Sequence, residues 1–162
     1  MTVNEYNQSV ELFSDRVFRF IYKNTRDRDD ANDVVQNAFE ILWKNHEKVE
    51  FEKCRSYLFT VAYHNFIDNV RKMKRITRME EHHEDLMEAP DRSYKGVKEI
   101  VNQALSKLPE IQKNVVMLRD YEGYDYAEIG NITGLTESQV KVYIFRARQT
   151  LKDYLVGVER VI

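Results

Sequence analysis

The chain offers few residues whose types and spacing would suit catalysis or metal binding. Two groups carry such side chains: an acidic cluster within residues 27–33 and the adjacent run His82–Asp85. We expect the acidic cluster to cap a helix, because carboxylates accept backbone N–H bonds there. We expect the adjacent run to be a solvated linker, because neighbouring helical residues point in different directions. Cys54 is the single cysteine, which excludes a disulfide framework and a multi-cysteine zinc site. The sequence predicts no enzyme, no metal and no cofactor.

Basic residues are concentrated in two short runs that could bind nucleic acid. The 162 residues carry a net charge of −2, which by itself does not suggest a nucleic-acid binder. Residues 70–78, however, contain five bases and no acid, and residues 136–152 contain four bases against Glu137 alone. Ring-bearing side chains precede the first run: Tyr57, Phe59, Tyr63, His64 and Phe66. Single-stranded DNA binds such surfaces through base stacking and phosphate pairing. The alternative is core aromatics beside a solvated helix end, and the helical period places Phe59 and Phe66 on the inward face.

The second basic run lies within a helix-turn-helix pattern. Tyr126–Ile132 is predicted to form a short helix, Gly134 to lie in the turn, and Thr136 to cap a longer helix. The expected clamp consists of Ala127, Ile129 and Ile132 against Leu135, Val140 and Ile144. The opposite face of the second helix would enter a DNA major groove with Ser138, Gln139, Lys141, Val142, Phe145, Arg146 and Arg148. A helical hairpin with a solvated basic face is the alternative.

Helices must position these residues, because the apolar side chains recur with the helical period. Gly and Pro number only 5 and 2, which argues against sandwiches, barrels and Gly-rich nucleotide loops. In the first half we expect a helix around residues 10–21, a second capped by Asp29 or Asp30, and a third over residues 54–74. Asn45–Lys53 is predicted to be the loop between the second and third helices.

The second half shows the same helical pattern. One helix is predicted from Val97 to a stop at Pro109, which suits the first turn of the next helix. A short helix over residues 125–132 and a last helix with Leu155 on its buried face follow. The fold class is therefore all-α, with two small helical domains at residues 1–78 and 97–162. An acidic linker at residues 79–96, with six acids against two bases, joins them.

Several stretches in both domains carry a familiar combination of motifs. The first domain contains Asp30–Lys44, which ends in Leu-Trp-Lys, and Ser56–Lys72. The second contains Leu105–Pro109, Tyr126–Gly130 and Val140–Arg148. Together, and in this order, they resemble the extracytoplasmic-function (ECF) sigma factors, the small two-domain branch of the sigma-70 family of bacterial transcription initiation factors. The resemblance implies sigma region 2 at residues 1–78, sigma region 4 at residues 97–162, and the function of an alternative sigma factor.

The resemblance also implies roles for individual residues. The implied contacts with core RNA polymerase are Asp33, Gln36, Asn37, Glu40 and Trp43. The loop Asn45–Lys53 would form the pocket for an extruded base of the promoter's minus-ten element. The implied contacts with the melted minus-ten strand are Tyr57, His64, Asn65, Asp68, Arg71, Lys72 and Arg75. The implied contacts with the minus-thirty-five element are Ser138, Gln139, Lys141, Val142, Phe145 and Arg146.

The chain departs from the family pattern at two places. His64 stands where many members have Asn, with Asn65 beside it, so either residue could meet the minus-ten base. Val142 and Tyr143 stand where members often have Ser and Arg, which implies fewer phosphate contacts and a different promoter sequence. The implied partners are core RNA polymerase, duplex and melted promoter DNA, and an anti-sigma factor, often membrane-anchored in this family.

The acidic linker and the N-terminal residues carry two further expectations. The linker is expected to occupy a basic polymerase channel before RNA arrives. Substitutions that neutralise Glu80, Glu81, Glu84 and Asp85 should then weaken polymerase binding. No apolar run is long enough to span a membrane and no secretory signal is present, so we expect a cytoplasmic protein. The alternatives are a stand-alone helix-turn-helix regulator, a protein-binding helical adaptor and, more distantly, a nucleic-acid enzyme.

Overall fold

The computed structural model describes residues 1–79 and 96–161. Within these ranges the chain is helical and contains no strand, which confirms the all-α prediction. The chain divides into two compact units, the first built on three helices and the second on four. The acidic linker, with the four residues chosen for neutralisation, falls almost entirely outside the described residues. No helix in the described ranges combines the length and apolar character that crossing a membrane requires.

The first unit consists of α1 (Val3–Thr25), α2 (Arg28–Lys44) and α3 (Phe51–Met79), which pack against one another. Each helix buries one apolar stripe, as its periodicity predicts. The stripe of α1 is buried at Val17, Phe20 and Ile21. The other two helices contribute Val34, Ala38, Leu42, Leu58, Phe59 and Ala62. The faces of α2 and α3 that point away from this core are left to carry function.

Two helix starts in the first unit differ from the prediction. Asp27, rather than Asp29 or Asp30, caps α2, and its Oδ1 accepts a hydrogen bond from the Asp30 nitrogen at 3.0 Å. Arg26 adopts a left-handed conformation with φ 54°, so the chain reverses immediately after α1. The second helix therefore begins at Arg28, earlier than the predicted caps allow. The third helix begins at Phe51. The predicted loop Asn45–Lys53 is therefore too long, and the connection consists of residues 45–50.

The second unit consists of α4 (Val97–Ser106), α5 (Glu110–Asp120), α6 (Tyr126–Thr133) and α7 (Glu137–Val161). The last helix packs against α5 and α4. Pro109 is the N-cap of α5 rather than part of its first turn. The prediction that Leu155 is buried is wrong, since its side chain is 40 % exposed. Tyr154 faces α4 instead, with its hydroxyl 3.3 Å from Gln103 Oε1.

Candidate nucleic-acid interface

The outward face of α2 carries four of the five residues expected to contact polymerase. Asp33, Gln36, Glu40 and Trp43 are exposed and follow one another at intervals of three or four residues, which places them on one side of a helix. Glu40 Oε1 lies 3.3 Å from Lys44 Nζ. This exposed pair restrains the carboxylate but contributes little stability. The face is thus acidic at its centre and ends in an indole.

Neighbouring rings hold Trp43 in place. The Tyr6 ring meets the indole edge-on at 5.0 Å between centroids, and the His46 ring stacks on it at 4.3 Å. The Tyr6 hydroxyl donates a hydrogen bond to the Phe39 carbonyl at 3.0 Å, and burial raises the pKa of this phenol. Sequence reasoning missed Tyr6 and His46, because Tyr6 lies on a different helix and no motif contains it.

An amide chain joins α2 to α3. Asn65 Nδ2 donates to Asn37 Oδ1 at 2.6 Å, and Asn69 Nδ2 donates to Asn65 Oδ1 at 2.9 Å. Asn37 and Asn65 are half-buried in the seam between the two helices. Their amides bond to each other, although the family resemblance assigned Asn37 to polymerase and Asn65 to DNA. His64 is exposed beside them, with its ring edge-on to Tyr63 at 5.8 Å.

A long polar and basic face runs along α3. Its members are Tyr57, His64, Asp68, Arg71, Lys72 and Arg75, at successive intervals of 7, 4, 3, 1 and 3 residues. These intervals fit one side of a helix, and the face is about 27 Å long at the helical rise per residue. Tyr57 is half-buried and the other five are exposed. One unbroken helix therefore aligns an aromatic, an imidazole and three bases of the basic run.

Three of the five rings that precede the basic run are core residues. Phe59 is 0 % exposed, and Tyr63 and Phe66 are nearly as deeply buried. A buried ring cannot offer its face to a base, so for these three rings the structure confirms the alternative, core aromatics, including the inward position predicted for Phe59 and Phe66. Tyr57 and His64 remain from the group of ring-bearing residues.

The connection between α2 and α3 is held by backbone hydrogen bonds. The Lys48 and Val49 nitrogens donate to the Asn45 carbonyl at 2.9 and 3.2 Å. The nitrogen of Met1 donates to the His46 carbonyl at 2.7 Å and to the Val49 carbonyl at 3.2 Å. The part of the chain expected to form the base pocket is therefore short and fixed by its own backbone hydrogen bonds and by those from Met1.

The helix-turn-helix is formed by α6 and α7. Asp125 and Glu128 make a reciprocal capping box at the start of α6, and Gly134 ends that helix in the left-handed region at φ 79°. Thr136 and Gln139 make a second reciprocal pair of cap hydrogen bonds, at 2.9 and 3.2 Å, at the start of α7. The predicted N-cap is confirmed. The side-chain oxygen of Gln139, assigned to DNA, is thereby engaged.

Most of the predicted clamp is buried, with one exception. Ile129, Ile132, Val140 and Ile144 are buried, and Leu135 is half-buried. Ala127 is exposed, because a residue two positions from Ile129 lies on nearly the opposite side of a helix. The clamp prediction is therefore wrong at Ala127.

The outward face of α7, called the reading face below, exposes all six residues that the resemblance implies as minus-thirty-five contacts: Ser138, Gln139, Lys141, Val142, Phe145 and Arg146. Lys141 Nζ lies 3.8 Å from Glu137 Oε1 and 5.6 Å from the centroid of the Tyr126 ring. Arg148, also assigned to this face, points elsewhere. Its guanidinium donates to Asp120 Oδ1 at 2.6 Å, and this bond raises the pKa of Arg148.

The described residues contain no group of three or more His, Cys, Asp or Glu side chains arranged to hold a metal ion. Cys54 is fully buried, and burial raises the pKa of its thiol. A thiol in that state is a poor nucleophile and a poor ligand.

Comparison with known families matches both units in order. Sigma-70 region 2 matches residues 10–76, and sigma-70 region 4 matches residues 98–151. The ECF RNA polymerase sigma factor SigM of Bacillus subtilis (strain 168) is 28 % identical over an alignment of 157 residues that covers 94 % of each chain. The ECF sigma factor SigE of Mycolicibacterium smegmatis is 30 % identical over 158 residues, covering 93 % of this chain and 61 % of that protein.

Solved structures with low identity share the fold. The sigma factor RpoE of Bartonella quintana, solved with the anti-sigma factor NepR, superposes with a TM-score of 0.79 at 22 % identity and covers 94 % of this chain and 98 % of its own. CnrH, solved with the cytosolic domain of CnrY, gives a TM-score of 0.66 at 21 % identity, with coverage of 94 % and 88 %. With both sigma-70 regions matched in sequence order, and with ECF sigma factors as relatives along nearly its whole length, the chain belongs to the ECF group of the sigma-70 family.

Proposed function

We propose that this chain is an alternative sigma factor that binds core RNA polymerase, directs it to a specific set of promoters and performs no chemistry of its own. The observation that carries the proposal is that one chain combines the outward face of α3 with a capped helix-turn-helix. The first suits melted DNA and the second suits duplex DNA. A promoter presents both forms together only when polymerase opens it.

We assign polymerase binding to the outward face of α2. The exposed members of this face are Asp33, Gln36, Glu40 and Trp43. Large aromatic side chains held rigid by neighbours lose little conformational entropy on binding and often dominate an interface. Trp43, held between Tyr6 and His46, fits this description. Asn37 acts through the seam with α3 and not by direct contact.

We assign the melted minus-ten strand to the outward face of α3, with His64 as the residue that meets the base. The family resemblance left His64 and Asn65 as alternatives. The amide of Asn65 is half-buried and bonds to Asn37 and Asn69, which leaves it one N–H and one lone pair for a base. His64 is exposed and lies on the same side as Arg71 and Arg75, whose guanidinium groups can pair with the phosphates of the strand.

We assign the upstream minus-thirty-five duplex to the first three turns of α7. Arg146 is exposed there and has no ion-pair partner among the described residues. A net charge of −2 suits a protein whose two modest DNA surfaces act together on one enzyme, because linked weak contacts gain affinity from effective concentration. The same reasoning favours promoter binding by the polymerase complex over binding by the chain alone.

We propose that an anti-sigma protein holds the chain inactive until a signal arrives, and that both act in the cytoplasm, where polymerase is. The sigma factors RpoE and CnrH, which share this fold, were solved with NepR and with the cytosolic domain of CnrY. These two complexes support a protein inhibitor as the class of partner. The inducing signal would act on the inhibitor.

Run-off transcription on fragmented genomic DNA, with core polymerase from the same organism and with or without this chain, tests the proposal. New discrete start sites are expected. Trp43→Ala should weaken core binding, whereas Leu12→Ala should not, although Leu12 is an exposed apolar residue on α1. Core binding without new starts would indicate an adaptor or inhibitor. Tight sequence-specific binding to duplex DNA without core would indicate a stand-alone regulator.

A further inference from the structure

The centre of the reading face of α7 is apolar. Val142 is 46 % exposed and Phe145 is 70 % exposed. The two are three residues apart, so their side chains are neighbours on one side of the helix. On the opposite side, Val140, Ile144 and Ala147 are buried. The helix therefore has a second apolar stripe that its own unit does not cover, in the turns that a helix-turn-helix inserts into DNA.

Charged groups flank this apolar stripe, but contacts within the unit restrain two of the nearby cations. Lys141 is shared between Glu137 and the Tyr126 ring, and Arg148 is bonded to Asp120. Arg146 is the exposed cation nearest to Phe145 along the chain. Recognition of guanine normally uses an Arg or Lys that donates to its O6 and N7 atoms. The stripe itself has no donor or acceptor for that purpose.

The apolar group that DNA presents in its major groove is the 5-methyl group of thymine, and phenylalanine is among the side chains that contact it. The basic residues beside the stripe match the charge of the DNA backbone, which favours DNA over a protein as the occupant. We infer that Val142 and Phe145 read thymine through its methyl group in the upstream promoter element. The inference rests on the proposed function, since it requires α7 to enter promoter DNA.

Replacing thymine with uracil tests the inference, because uracil removes the methyl group and leaves every hydrogen-bonding atom. The probe is a promoter duplex recovered by run-off transcription with the wild-type chain and core polymerase. It is resynthesised with uracil at each upstream thymine in turn. At the position that is read, uracil should weaken promoter binding by the polymerase complex about fourfold, the value of one buried methyl group.

Two variants complete the experiment. Phe145→Ala should weaken binding to the thymine duplex and reduce the effect of uracil to less than about twofold, because the two partners are coupled. Val156→Ala removes an exposed apolar side chain farther along α7 and should retain the full uracil effect. Circular dichroism should show both variants folded.

Three outcomes would overturn the inference. The first is a wild-type complex that binds every uracil duplex as tightly as the thymine duplex. The second is a Phe145→Ala variant that keeps the full uracil effect or loses binding to core polymerase itself, which would make the stripe a protein-docking surface. The third is a wild-type chain that directs initiation from no promoter, which would refute the proposed function as well.

Discussion

Replacing Gly130 with alanine should destabilise the second unit, although glycine is normally the weaker residue inside a helix. Gly130 lies in α6, where the turn toward α7 passes directly over it. A Cβ atom added at this position would lie 2.8 Å from the Leu135 carbonyl oxygen, and the Glu137 nitrogen is also within 4.0 Å. Both contacts are with backbone, so no side-chain rotation can relieve the overlap. The turn itself must shift.

The sign of the effect follows from two opposing terms. A helical Gly→Ala substitution gains about 1 kcal/mol of helix propensity. Overpacking against neighbours that cannot move costs about 1–3 kcal/mol, so we expect a net loss of stability of up to about 2 kcal/mol. Gly157 provides the matched control, because it lies in α7 and a Cβ there meets nothing within 4 Å. Gly157→Ala should raise the free energy of unfolding by about 0.5–1 kcal/mol.

Urea denaturation followed by far-ultraviolet circular dichroism measures the prediction. Trp43 is the single tryptophan, so its fluorescence follows the first unit separately. Since the shifted turn also carries the start of α7, Gly130→Ala should reduce promoter-directed initiation while leaving core binding intact. If Gly130→Ala proves as stable as Gly157→Ala, the close approach of the turn to α6 is not what requires glycine, and the reasoning fails.

Three further predictions concern individual side chains. Arg146→Ala should weaken promoter binding by about 1–3 kcal/mol if Arg146 contacts a base, whereas Arg148→Ala should lower the free energy of unfolding by about 0–1 kcal/mol. Binding assays on matched and altered promoters check the first effect, and a loss independent of promoter sequence would mean that Arg146 contacts a phosphate. Gln139→Glu should preserve the α7 cap and weaken promoter binding by charge repulsion, so thermal unfolding and initiation should respond differently. Tyr6→Phe should lower the free energy of unfolding of the first unit by about 0.5–1.5 kcal/mol, because a hydrogen bond is lost, and it should weaken core binding by loosening Trp43. Trp43 fluorescence in urea measures the first effect, and co-migration with core polymerase measures the second.

The helical periodicity was sufficient to predict the fold class and most helix positions, because each helix is amphipathic and covers the core of its own unit. Helix ends were less predictable where tertiary contacts decide them. Asp27 caps α2 because Arg26 reverses the chain, and several aspartates nearby made equally good local candidates. Phe51 begins α3 inside a stretch that looked polar. Near the end of α7, Tyr154 takes the place facing α4 that was expected of Leu155.

Residue types and motifs indicated which helices would carry the site, but they could not show which side chains are already engaged. The motif containing Asn37 and the motif containing Asn65 are separate in sequence, and nothing local indicates that their amides bond to each other. In the same way, nothing in the motif containing Arg148 indicates that its guanidinium bonds to Asp120 of α5. Such facts depend on how two helices pack, which the periodicity of either helix does not specify.

These engaged side chains change how promoter recognition must work in this chain. Asn65, Lys141 and Arg148 looked free in the sequence, yet each has a partner within its own unit. The number of groups available to DNA is therefore smaller than the composition suggests, and the affinity of either unit alone for DNA should be weak. Binding to core polymerase supplies what is missing, because it holds both reading faces near one promoter and converts the second contact into an intramolecular step. On the proposed assignments, promoter specificity then depends on a few exposed residues, with Phe145 and Arg146 foremost on α7.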